Sequence, residues 1–72
     1  MIIYTDKCMS CRYKEQWRIV RNYARANNEK IEIRRTTLKP EWQIEAGAYE
    51  QLGFTLPFAV VDDEVKDIKE LS

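Results

Sequence analysis

Between two short β-rich runs the chain places Met9, Tyr13, Trp17, Val20 and Ala24 at spacings of four, four, three and four. That pattern is one apolar face of an amphipathic helix, and it predicts a helix from about Cys8 to Asn27. Arg12, Lys14, Arg18, Arg21 and Arg25 fall off the stripe and should be solvated. Asn27-Asn28 ends the helix, because Asn tolerates the left-handed backbone that a helix end often needs. The run before the helix, Ile2-Ile3-Tyr4, reads as a buried central strand. After it, Ile31 and Ile33 alternate with Glu32 and Arg34, a strand with one apolar face. Strand, helix and strand in so short a span predict a right-handed unit with parallel strands.

The rest of the chain adds a second helix and a hairpin. Thr36 to Lys39 is a loop, and Pro40 suits a first helical turn, with Glu41 where acids are favoured. Ile44, Ala48 and Leu52 recur every four residues as the expected buried face, and Gly53 terminates the helix. Gly47 inside it costs about 1 kcal/mol against Ala. Pro57 opens the apolar strand Phe58-Ala59-Val60-Val61. Asp62-Asp63 is a tight turn, and Glu64 to Ile68 is a hairpin partner on the sheet edge. Lys69 to Ser72 is too short for a full helix. The predicted order is β-α-β-α-β-β, an α/β chain with a four-stranded mixed sheet. Residues 1–72 show no repeat or linker and read as one domain.

Composition narrows the class. With 33% charged and 44% hydrophobic residues, and 2 Gly and 2 Pro, the chain is neither collagenous nor disordered. No apolar run nears the ~20 residues that span a bilayer. The N-terminus turns polar at Thr5-Asp6-Lys7, unlike a signal peptide, so a cytoplasmic protein with no membrane partner is expected. Two cysteines are too few for a disulfide-stapled secreted domain. Histidine is absent, which removes the commonest general base and metal ligand. Residues 1–36 hold nine Lys/Arg against four Asp/Glu, and residues 37–72 three against eight, so the halves carry +5 and −5. The balanced total weighs against a general nucleic-acid binder.

Cys8-Met9-Ser10-Cys11 carries the chemistry. The pair follows the first strand and opens the first helix, the setting in which C-x-x-C reads as a redox dithiol. Two intervening residues let the sulfurs meet within one helical turn. The first cysteine sits where unpaired amides and the helix dipole favour an anion, and Lys7 and Arg12 add positive potential. Cys8 is therefore expected to be the more acidic and more exposed thiol. Structural zinc wants four Cys/His ligands, which this chain reaches only by sharing a site with a second copy, so no metal is expected. A purely structural disulfide over so short a loop would constrain little chain entropy. Pro57 reads as a strand-start residue on its own. Placed between the second helix and third strand, a cis proline there would set its backbone beside the cysteine turn. Leu56 would then offer its amide and carbonyl to an extended partner.

Ile3-Tyr4-Thr5 leading into Cys8-Met9-Ser10-Cys11, together with Thr55-Leu56-Pro57 and the apolar strand after it, resembles glutaredoxins and glutaredoxin-like proteins of the thioredoxin superfamily. The resemblance spans most of residues 1–68. It implies a truncated thioredoxin fold, with Cys8 as nucleophile, Cys11 as resolving cysteine and Pro57 as the cis proline lining the site. It also implies that Lys7, Thr55 and Leu56 help to bind the substrate or glutathione. This chain has Met9-Ser10 where the family commonly has Pro-Tyr. The family's Gly-Gly turn and following Asp have no counterpart around Asp67 to Ser72, and the closing helix is missing. Weaker glutathione binding is expected, as is a bare sheet face that dimerisation would cover.

The function so implied is thiol–disulfide oxidoreduction of protein or small-molecule disulfides, with no bound cofactor. Glutathione or a flavin-dependent reductase would supply the electrons. The alternative is a binding module that docks a protein or nucleic acid through the Arg12/Arg18/Arg21/Arg25 face, most often simply a solvated face. Tyr13, Trp17 and Trp42, at helical spacing, read as core. Asp62-Asp63-Glu64 reads as a turn and not as a cation site.

Overall fold

The computed structural model describes all residues, 1–72. The chain is an α/β fold around one mixed sheet. Its elements are β1 (Ile2–Thr5), α1 (Met9–Arg12), α2 (Lys14–Ala26), β2 (Glu32–Arg35), α3 (Pro40–Glu50), β3 (Phe58–Val61) and β4 (Glu64–Asp67), closed by a 3-10 turn (Ile68–Leu71). The sheet order is β2-β1-β3-β4. β1 runs parallel to β2 and antiparallel to β3, and β3 and β4 form an antiparallel hairpin. No helix is long and apolar enough to cross a membrane.

The strand period of two splits the core into two layers. Ile3, Ala59 and Val61 face one way and pack with Met9, Val20, Ile68 and Leu71. Tyr4, Phe58 and Val60 face the other way and pack with Ala46 of α3. α2 covers the first face with the stripe that its spacing predicts. Asn28 takes a positive φ of 54° at the end of that helix, and Asp62 and Asp63 take 51° and 64° in the hairpin turn. Both are places where Asn or Asp meets the left-handed region at low cost.

Four expectations need correction. The first helix is broken at Tyr13, whose φ of −129° and ψ of 55° leave the helical region. The break escapes a periodicity reading because Met9, Tyr13 and Trp17 stay on the core side across it. β2 is shifted by one residue to Glu32–Arg35, and Ile33 remains 36% exposed.

The predicted face of α3 is also wrong. Ile44 is 75% exposed and Leu52 71% exposed, while Ala46 is buried and Trp42, Glu45 and Tyr49 are half-buried. Positions 44 and 46 lie about 200° apart around a helix, so the buried side is nearly opposite to the predicted one. Tyr49 decides this, packing 5.9 Å from Tyr4 and 5.7 Å from Phe58 between ring centroids. An aromatic ring buried on a sheet outweighs an isoleucine left in water. Glu45 adds a polar anchor: Tyr4 donates to its Oε1 at 2.7 Å and Arg34 at 2.6 Å.

Finally, the sheet face is not left bare. Ile68 and Leu71 are 3% and 8% exposed, so a single 3-10 turn closes the face that a longer helix would cover. Asp67 caps that turn in a reciprocal arrangement with Glu70. The reason given for a dimer therefore falls away.

Candidate active site

Strand register brings the site together at one end of the sheet. Thr5, the last residue of central β1, pairs with Arg35 of β2. On its other side Tyr4 pairs with Phe58, so one step further Pro57 flanks Thr5. The chain thus leaves β1 toward Cys8 between Arg35 and Pro57. Thr5 is fully buried, and its hydroxyl donates to the Lys7 carbonyl at 2.8 Å and accepts from the Lys7 amide at 3.3 Å. That local turn ends β1 and releases the backbone at Cys8. Tyr13 closes the other side of the loop by donating to Asp6 Oδ1 at 2.7 Å.

Both cysteines are free thiols. Cys8 precedes α1, Cys11 lies one turn inside it, and their sulfurs are 2.9 Å apart, close enough to interact but well beyond the ~2.05 Å of a disulfide bond. The Cys8 thiol is lowered to about 7. The largest cause is the hydrogen bond between the Cys8 and Cys11 thiols, followed by that between Cys8 and the Ser10 hydroxyl, with the Cys11 and Ser10 amides adding to it. Neither the Lys7 nor the Arg12 charge is among these causes. α1 is one turn long, so the long helix dipole expected behind Cys8 is absent and local donors take its place. The expected exposure is also reversed: Cys8 is half-buried and Cys11 exposed.

The Leu56–Pro57 peptide bond is cis. Neither the amide nor the carbonyl of Leu56 has a backbone partner, which leaves both open to an added strand. Thr55, Leu56 and Pro57 line a cavity of about 330 Å³ with Gln16, Asp67 and Lys69 among its walls. Cys8 lines a different cavity of about 240 Å³ with Met9, Ser10, Trp17, Ile33 and Arg35. The structure therefore brings Thr55, Leu56 and Pro57 together at the same sheet end as Cys8, but in separate hollows. Lys7 is exposed and lines neither of them.

Sequence reasoning missed Ile33, Arg35 and the outward role of Trp17. Parallel pairing of the first two strands carried a usable signal, since it sets the end of β2 beside the residues that lead into Cys8. No three Cys, Asp or Glu side chains converge to hold a metal ion. No described family, curated protein or solved structure matches the chain.

Proposed function

We propose that this protein is a thiol–disulfide oxidoreductase on a truncated thioredoxin fold of the glutaredoxin kind. The observation that carries the reading is the Cys8 thiol, lowered to about 7 and held 2.9 Å from Cys11 Sγ. The sheet order β2-β1-β3-β4, with Thr55, Leu56 and Pro57 at the same sheet end as Cys8, supports it.

The Cys8 thiolate attacks one sulfur of a substrate disulfide. A Cys8–substrate disulfide forms, and the other substrate sulfur leaves as a thiolate that takes up a proton. Cys11 then loses its proton and attacks Cys8 Sγ. The second substrate thiolate leaves, Cys8–Cys11 is oxidised, and two electrons have passed to the substrate. An external thiol such as glutathione, or a flavin-dependent reductase, returns the pair to the dithiol.

Magnitudes show which feature matters more. A thiol at 7 holds roughly sixteen times more thiolate at neutral pH than one at about 8.5. Its nucleophilicity falls by a factor of about five over the same interval, so acidity alone gives roughly threefold in the first attack. The second step gains far more, because a neighbouring thiol replaces a bimolecular reductant. Proximity of Cys11, more than acidity of Cys8, is the catalytic asset.

The test is reduction of hydroxyethyl disulfide, with glutathione or a flavin reductase as electron donor in parallel assays. Turnover that requires both cysteines supports the reading. A rate equal to that of the donor alone, in both assays, removes it.

A further inference from the structure

Two hollows meet at Trp17. One holds Cys8, Ile33 and Arg35, and the other, of about 310 Å³, is lined by Lys14, Arg18, Arg21 and Arg25 along one face of α2. Trp17 belongs to the walls of both. The Cys8 hollow therefore adjoins a cationic one, with Trp17 as the wall they share, and the pair forms a track whose far half is cationic.

Most of these cations are unmatched. Arg18 pairs with Glu15, but Lys14, Arg21, Arg25 and Arg35 are in none of the protein's ion pairs. Arg35 is the most telling, because its Nε is buried with no hydrogen-bond partner. A buried donor without an acceptor is costly, and the acceptor that best fits a guanidinium is a carboxylate. The other arginine of β2, Arg34, is fully engaged by Glu32 and Glu45. The contrast singles out Arg35, on the Cys8 side, as the β2 arginine without a carboxylate partner.

Length selects the kind of ligand. From Lys14 to Arg25 the helix rises about 16 Å, the reach of roughly five extended residues. A small thiol cannot span that track from Cys8, whereas a polypeptide segment can. Nucleic acid fits less well: Trp17 is half-buried against the core, and the chain has no net positive charge.

We propose that the preferred substrates are disulfides in acidic polypeptide segments, with a carboxylate on Arg35 and others along Lys14, Arg21 and Arg25. This rests on the dithiol reading and deepens it by naming the substrate class. It adds no chemical step, since the cations position the segment while Cys8 attacks its disulfide.

The experiment uses two disulfide-linked peptide dimers of one length, with four glutamates or four lysines flanking the cysteine. Single-turnover rate constants are measured with the pre-reduced protein, each divided by its rate constant for hydroxyethyl disulfide. At low salt the glutamate peptide should react roughly tenfold faster or more, and the ratio should fall to about two in 0.5 M salt. Arg21→Glu/Arg25→Glu should abolish or invert the preference, and Arg35→Gln should weaken it. Equal rates for the two peptides, or a preference that survives charge reversal, would overturn the substrate class while hydroxyethyl disulfide is still reduced. Failure to reduce hydroxyethyl disulfide overturns the dithiol reading and this inference with it. A single-stranded oligonucleotide that displaces the glutamate peptide at equal concentration also overturns it, by assigning the track to nucleic acid.

Discussion

Tyr13 donates its hydroxyl hydrogen to Asp6 at 2.7 Å, and the loop so closed contains both Cys8 and Cys11. The bond ties the exit of β1 to the break between α1 and α2, so the dithiol turn is held from both sides. Tyr13→Phe keeps the ring against the core and removes only this bond. The expected loss is about 1 kcal/mol of stability, read from the urea midpoint. An unchanged midpoint would show that the loop holds its shape without the bond.

Cys8 acidity should follow its donors in order. Alkylation of Cys8 against pH should show a midpoint near 7. Cys11→Ala removes the largest cause and should move the midpoint toward the ordinary thiol range of about 8.5. Ser10→Ala should move it less. Because Cys11 is the more exposed thiol, selective labelling of Cys8 near neutrality would reflect acidity and not access. A larger effect of Ser10→Ala would contradict the assigned order.

The Tyr4–Glu45–Arg34 cluster predicts opposite pH limbs. Burial, then the Glu45 hydrogen bond, pushes Tyr4 up to about 12 from 10.0. A group raised on folding contributes fully below its unfolded value, so that stability should fall as pH rises from about 10 through 12. Tyr4→Phe should flatten this alkaline limb. Glu45 is lowered, chiefly by the Tyr4 hydroxyl and then by Arg34. Its contribution is present above the usual glutamate range and is lost as pH falls below it. Glu45→Gln should flatten the acid limb, and urea midpoints across the pH range read both.

The observed face of α3 is testable by substitution. A Cβ at Gly47 would meet nothing within 4 Å, so Gly47→Ala should stabilise by about 1 kcal/mol. Ile44→Gln should change stability by no more than about 0.5 kcal/mol. Ala46→Leu should cost about 1–3 kcal/mol by overpacking. Thermal or urea unfolding of the three variants checks the assignment, and a large loss from Ile44→Gln would restore the face that its spacing suggests.

What could be read from the residues follows from which forces are local. The inward stripe from Met9 to Ala24, the left-handed Asn28 and the Asp62-Asp63 turn are set by nearby sequence, and they stand as expected. The outward turn of Ile44 is not local. It depends on Tyr4 and Phe58, which offer α3 an aromatic surface that Tyr49 and Glu45 fit better. The Tyr13 break is likewise accompanied by a bond to Asp6, seven residues back. At the site the two cysteines announce themselves by spacing. Arg35 and Ile33 do not, because only the parallel register of β1 and β2 carries them to Cys8.

In the proposed mechanism Cys8 attacks and Cys11 resolves. Mass spectrometry of Cys11→Ser after exposure to hydroxyethyl disulfide measures this most directly. A persistent mixed disulfide mapped to Cys8 is expected, while the protein with both cysteines passes on to an internal disulfide and Cys8→Ser shows no turnover. Normal turnover by Cys8→Ser, or failure of Cys11→Ser to accumulate the Cys8 adduct, would contradict it.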